Sequence, residues 1–164
     1  MQYADAAFPN LDELLTFKAC LVDATFEPNH AEISVLSNEI KHSENWAEQI
    51  VSIARDIFAT NKAPNYFLVT VADKGVLYID AVTFEHYDLE RHVDWDAVGD
   101  AVPCHVNGCG DTLAGVYVAS ITGPAKMTRP DAIRRALTAA QISLRSPKNV
   151  PDQLPSGGNI LKQA

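Results

Sequence analysis

Apolar residues recur every three or four positions along two stretches of this 164-residue chain and run almost unbroken along a third. Across residues 11–24, Leu11, Leu14, Leu15, Phe17, Leu21 and Val22 have the spacing of one helix face. Trp46, Ile50, Val51, Ile53, Ala54, Ile57 and Phe58 keep that period more strictly, with Ser43 placed to cap the start. Residues 66–71 are nearly all apolar and rich in strand formers, which predicts a strand buried on both faces, as in a parallel sheet. Ala72, Asp73 and Lys74 turn the chain, residues 75–82 predict a second strand, and the pair reads as a hairpin. Short strands are expected at residues 2–8 and 103–106, and a more polar, edge-like strand at 84–93. Residues 111–121 predict a helix. Another begins at Thr128-Arg129-Pro130-Asp131, where a capping hydroxyl, a first-turn proline and an acid three residues after the cap coincide, and it runs to about Arg145. Residues 31–40 fit neither period cleanly. The tail 146–164 carries three prolines and Gly157-Gly158 and is expected to be loop or flexible end. Strands alternating with helices make the class α/β, at a length suited to one domain.

One turn adds chemistry to this pattern. Val106-Asn107-Gly108-Cys109-Gly110-Asp111-Thr112 joins a predicted strand to a predicted helix. Its glycines permit a tight turn, and the free N–H groups that open a helix bind anions. Asp111 stands where a carboxylate is favoured by the helix and would lie beside a bound phosphate. The same residues would also serve as a tight turn with Asp111 as a helix cap.

Composition mostly excludes. A formal charge of −8 argues against non-specific nucleic-acid binding. No run reaches the length of a membrane span and no basic-then-apolar segment follows Met1, so a soluble, cytoplasmic protein is expected. Cys20, Cys104 and Cys109 lack CxxC spacing and read as free thiols of a reducing compartment, small semi-buried residues rather than a redox pair. The scattered histidines offer no transition-metal pattern, although His105 adjoins the glycine turn. Asp94, Asp96 and Asp100 read as surface acids of a loop rather than a cation site. The absence of GxxxxGK[ST] excludes a P-loop enzyme.

The run Asn107-Gly108-Cys109-Gly110-Asp111-Thr112-Leu113-Ala114-Gly115 resembles the second signature of the PfkB/ribokinase family of carbohydrate and nucleoside kinases, G-A-G-D-[ST]-F-x-G. Two more pieces stand in the family's order. Asn10-Leu11-Asp12-Glu13 resembles its N-x-x-E motif, and the stretch from Leu68 through Gly75 to Leu77 resembles its V-T-L-G-x-x-G-V strand–turn–strand. The resemblance covers residues 9–154. It implies the C-terminal half of a ribokinase-like fold, with a central, mostly parallel sheet flanked by helices, as a kinase domain over 1–154 followed by a flexible tail at 155–164.

The activity it implies is ATP-dependent phosphoryl transfer to a hydroxyl of a sugar or nucleoside. Asp111 would be the base, and the backbone N–H groups of Gly108, Cys109 and Gly110 the anion hole. Thr70, Ala72, Gly75 and Asn107 would line the nucleotide site. Asn10 and Glu13 would organise Mg²⁺ through water, although the same pair would equally form a capping box at a helix start. Ser37-Asn38-Glu39 is a rival placement of that motif, disfavoured because Lys41 stands where the acid belongs. Asn107 and the stretch 139–154, with Ser143-Leu144-Arg145-Ser146 and Asn149-Val150-Pro151, are most similar to the pseudouridine kinase branch. Departures are plain. Family members are about twice as long, and the part preceding N-x-x-E, which carries most sugar contacts, has no counterpart. Ala72 replaces the usual glycine and Leu113 the usual phenylalanine. A homodimer, or pairing with a missing N-terminal half, is therefore expected. The alternatives are a non-catalytic nucleotide- or partner-binding remnant and a fragment of a longer kinase.

Overall fold

A computed structural model describes residues 5–22, 25, 27, 29–60, 62–99 and 108–146. The chain divides between His86 and Tyr87 into two compact units. Up to that division run β1 (Ala6–Ala7), α1 (Leu11–Val22), α2 (His30–His42), α3 (Trp46–Phe58), β2 (Tyr66–Thr70), a 3-10 turn (Ala72–Lys74) and β3 (Val76–Asp80), with β4 (Phe84–Tyr87) reaching it. Beyond it lie α4 (Leu89–His92), α5 (Trp95–Val98), α6 (Cys109–Thr122) and α7 (Arg129–Arg145). The expected strand at 103–106, the site residue Asn107, and the tail from residue 147 on lie outside the described residues.

The first unit is built on a four-stranded sheet in the order β1-β2-β3-β4. It is mixed: β1 runs parallel to β2, whereas β2 and β3 form the expected antiparallel hairpin, with Tyr66 opposite Asp80 and Thr70 opposite Val76. Phe67, Val69, Val71, Leu77 and Ile79 join one core with Leu11, Leu14 and Leu15 of α1, Ile33 and Ile40 of α2, and the Ile50–Ile57 stripe of α3. The alternate residues Leu68, Val76 and Tyr78 are buried as well, as the near-continuous apolar run anticipates.

Helix starts and stops follow local chemistry. Residues 31–40, ambiguous by pattern, are helical because Asn29 caps them, its side chain accepting from the Ala31 N–H at 3.2 Å. Ser43 does not cap α3, contrary to expectation. It ends α2 instead, its N–H and hydroxyl both donating to the Ile40 carbonyl, and Asn45 holds the N-cap position of α3. The strand expected over 84–93 stops at Tyr87. Asp88 then accepts from the Arg91 N–H at 2.8 Å and opens a helical turn.

Asp80 ties the turn between β3 and β4. Its carboxylate accepts from the N–H groups of Thr83 (2.7 Å) and Val82 (2.8 Å), the Tyr78 hydroxyl and the Thr83 hydroxyl. These bonds, led by the Thr83 N–H, hold its pKa below the usual carboxylate value despite some opposing desolvation. A depressed folded pKa contributes stability that is present above the unfolded value and lost as pH falls through the folded one. Denaturant titrations taken downward from about pH 5 should show part of the acid loss vanish in Asp80→Asn, which has no charge to neutralise.

In the second unit α7 is central. Ala132, Ile133, Ala136, Leu137, Ala139 and Ala140 are buried, and α4, α5 and α6 pack against it. Thr128 caps it as the sequence predicts, its hydroxyl 2.5 Å from the Asp131 carboxylate and 3.4 Å from the Asp131 N–H that donates to it. No described helix is long and apolar enough to cross a membrane.

Candidate functional site

The glycine turn enters α6 as a backbone device. Gly108 is the N-cap at φ 85°, a left-handed conformation that a side chain would strain. The first helical bond is Thr112 N–H to the Gly108 carbonyl, at 2.8 Å. The N–H groups of Cys109, Gly110 and Asp111 therefore precede the helical ladder, at the positive end of a fourteen-residue helix. A Cβ built on Gly110 would meet nothing within 4 Å among the described residues, so none of their atoms requires glycine there. Asp111 is exposed in the first turn and its side chain does not cap the helix; Gly108 does.

Behind the turn lies a residue that pattern reading did not single out for the site. Ser143 of α7 is fully buried; the Thr112 hydroxyl donates to its oxygen at 3.3 Å, and it also hydrogen-bonds the Cys109 thiol. A serine on the alanine face formed by Ala136, Ala139 and Ala140 is the available signal. Burial raises the Cys109 pKa, against smaller opposite effects of Ser143 and its own backbone. Its thiol is protonated at neutral pH and a weak nucleophile, in keeping with a packing role. Cys20 is exposed. Asp94, one of the loop acids, caps α5 by accepting from the Ala97 N–H.

Asn10 and Glu13 form a reciprocal capping box at the start of α1. The Glu13 carboxylate accepts from the Asn10 N–H at 2.8 Å, and the Asn10 side-chain oxygen accepts from the Glu13 N–H at 2.9 Å. Asn10 also bridges Thr70 in the parallel sense, and Thr70 N–H donates to the Pro9 carbonyl at 3.0 Å. Three of the expected site residues thus meet at the carboxyl ends of β1 and β2, the edge where open α/β sheets bind ligands. Asn10 and Glu13 are exposed, and Glu13 keeps a carboxylate oxygen beyond the cap. One carboxylate reaching a cation through water suits Mg²⁺, which retains several waters and shares phosphate oxygens. No group of three or more His, Cys, Asp or Glu among the described residues could cage a metal ion directly.

Ala72 and Gly75 shape the turn leaving β2. Val71 N–H donates to the Gly75 carbonyl (2.9 Å) and Lys74 N–H to the Val71 carbonyl (2.8 Å). Gly75 is buried at φ 91°, and Ala72 is exposed at φ 44°. Left-handed backbone costs a non-glycine residue about 1 kcal/mol, so Ala72 carries strain in the place where the resemblance expects glycine. Asp111 and its glycines belong to the second unit, and the Asn10/Thr70 and Ala72/Gly75 groups to the first.

No family model and no curated protein sequence matches the chain. Solved structures do. Ribokinase from Thermotoga maritima matches with a TM-score of 0.53 and 16% identity, over 90% of this chain and 39% of that one. Ribokinase from Cryptococcus neoformans var. grubii serotype A, solved in complex with ADP, matches with a TM-score of 0.61 and 14% identity, over 87% of this chain and 38% of that one. The fold is the expected α/β, ribokinase-like one, and the chain spans about two-fifths of the length of these kinases.

Proposed function

We propose that this chain is the nucleotide-handling part of an ATP-dependent phosphotransferase acting on a hydroxyl of a sugar or nucleoside. The start of α6 carries the reading: a left-handed glycine, N–H groups ahead of the helical ladder, a Gly110 that no described residue crowds and an exposed first-turn carboxylate, all on a ribokinase-like fold. Phosphoryl transfer asks for positioning and charge stabilisation rather than covalent work by the protein. The N–H groups of Gly108, Cys109 and Gly110 hold the transferring phosphate. Asp111 takes the proton of the attacking hydroxyl. Thr70, Ala72 and Gly75 border the nucleotide, with Asn107 leading into the anion turn. Asn10 and Glu13 would hold Mg²⁺ through water, and the ion would supply positive charge to offset that of the phosphates.

Pseudouridine is the nucleoside that the resemblance favours, in a cytoplasmic setting. A second copy or a companion polypeptide supplies the acceptor's side of the pocket. A second reading, nucleotide binding without turnover, draws on the two-fifths span of the matched kinases.

Gly110→Ala separates an anion site from a plain helix start. As structure alone the methyl stabilises α6 by up to about 0.5–1 kcal/mol, because glycine is a poor helix former and the added atom meets nothing among the described residues. As part of an anion hole it crowds the phosphate. The expected result is an unchanged or raised melting temperature together with Mg·ATP affinity lowered at least tenfold by calorimetry. Absence of Mg·ATP binding by the unmodified chain would sink the proposal. Binding without phosphorylation of ribose or pseudouridine would leave the second reading.

A further inference from the structure

The turn between β2 and β3 is clamped from outside by two side chains that no motif singled out, His86 and Trp46. His86 on β4 places Nε2 2.6 Å from the Lys74 carbonyl oxygen. A carbonyl only accepts, so His86 carries a proton on Nε2 and donates it. The His86 ring meets Trp46 of α3 edge-on, with centroids 4.9 Å apart at 80°. The Lys74 ammonium closes the loop over the Trp46 ring, 5.3 Å from its centroid. One residue of the turn is thus held twice, by its carbonyl and by its side chain, from a strand and a helix that both belong to the first unit. The same turn contains Ala72 at φ 44°. Backbone strain persists only where surrounding contacts over-determine it, and the turn's own bonds comprise Val71 N–H to Gly75, Lys74 N–H to Val71 and a long 3.5 Å contact from Gly75 N–H to Ala72.

We infer that His86, backed by Trp46, is a positioning residue that holds the Ala72–Gly75 turn in the conformation that meets the nucleotide. This rests on the reading of the turn as a nucleotide contact. His86 touches no phosphate and takes no part in proton transfer. It acts through the Lys74 carbonyl, so its removal alters how the turn is presented rather than the chemistry.

The test compares His86→Ala with His86→Gln, which keeps an N–H donor at similar reach, in the full chain. Calorimetry gives the Mg·ATP dissociation constant, and amide hydrogen exchange at Val71 and Lys74 reports the turn directly. His86→Ala should weaken Mg·ATP about tenfold and speed exchange at both amides, while His86→Gln restores both toward the unmodified values. Thermal melting identifies a variant that has merely unfolded, and for such a variant exchange is compared at a temperature below its transition. Unchanged affinity and exchange in a folded His86→Ala overturn the inference, as does a His86→Gln that behaves like alanine. If the unmodified chain binds no Mg·ATP, the functional reading falls and takes the nucleotide part of this inference with it. Exchange alone then decides whether the clamp holds the turn.

Discussion

Asp111→Asn should leave Mg·ATP bound within a few-fold and lower the rate of phosphoryl transfer by about 10²–10⁴-fold, the range that a positioned general base contributes. The substitution is nearly isosteric and removes only the charge and the proton-accepting capacity. Asp111 is exposed and does not cap α6, so the fold depends little on it. Losing its favourable interaction with the helix dipole costs about 0.3–1 kcal/mol. A loss of rate with intact stability and intact nucleotide affinity is therefore specific to chemistry. The measurement is ADP release dependent on the sugar or nucleoside acceptor, with calorimetric affinity and a melting curve on the same preparation. Equal rates for the two proteins would remove Asp111 from the reaction. A parallel fall in affinity and rate would make it a binding residue instead.

The largest stability effect is expected at Phe67. Its side chain is 1% exposed at the second position of β2, and its ring contacts Phe58 with centroids 5.1 Å apart and Phe17 at 6.4 Å. It therefore joins α1, α3 and the sheet at one point of the core. Phe67→Ala removes a buried ring and leaves a cavity that close-packed neighbours fill only in part, at a cost of about 3–5 kcal/mol. That is a large share of the 5–15 kcal/mol that typically holds a domain folded. Denaturant unfolding followed by circular dichroism should show the midpoint fall steeply. Phe67→Leu, which refills most of the volume, should recover more than half of the loss. A change under about 1 kcal/mol for Phe67→Ala would mean that the core around β2 is not packed as described.

What the sequence made legible followed from how many residues voted for each element. The stripe Ile50, Val51, Ile53, Ala54, Ile57 marked α3 because every apolar position in it is buried. Residues 31–40 were ambiguous for the opposite reason. Val35 and Leu36 are 58% and 45% exposed, so apolar residues lie on both sides of α2 and blur its period. Helix ends were harder, because a single side chain decides them. Ser43 and Asn45 are both capable caps, and the choice depends on whether a hydroxyl reaches backward to Ile40 or forward. Asp88 cut a predicted strand short in the same way. At the candidate site, the glycine content of the turn made a left-handed Gly108 legible, whereas the meeting of Asn10 with Thr70 depends on strand pairing. The clamp on Lys74 was invisible, because His86 and Trp46 are forty residues apart and meet only once the sheet and α3 are folded.

The capping box at Asn10 and Glu13 commits one carboxylate oxygen of Glu13 to the start of α1 and leaves the other outside the box. A cation reached through water from the other oxygen would leave the cap intact, so its occupancy and the helicity of the first turn of α1 would vary independently. A mutational scan scored only by activity would register Glu13 as a metal ligand even if it did nothing but start a helix. Helicity and metal affinity must be titrated against each other in the same sample, and the slope between them tells ligand from scaffold.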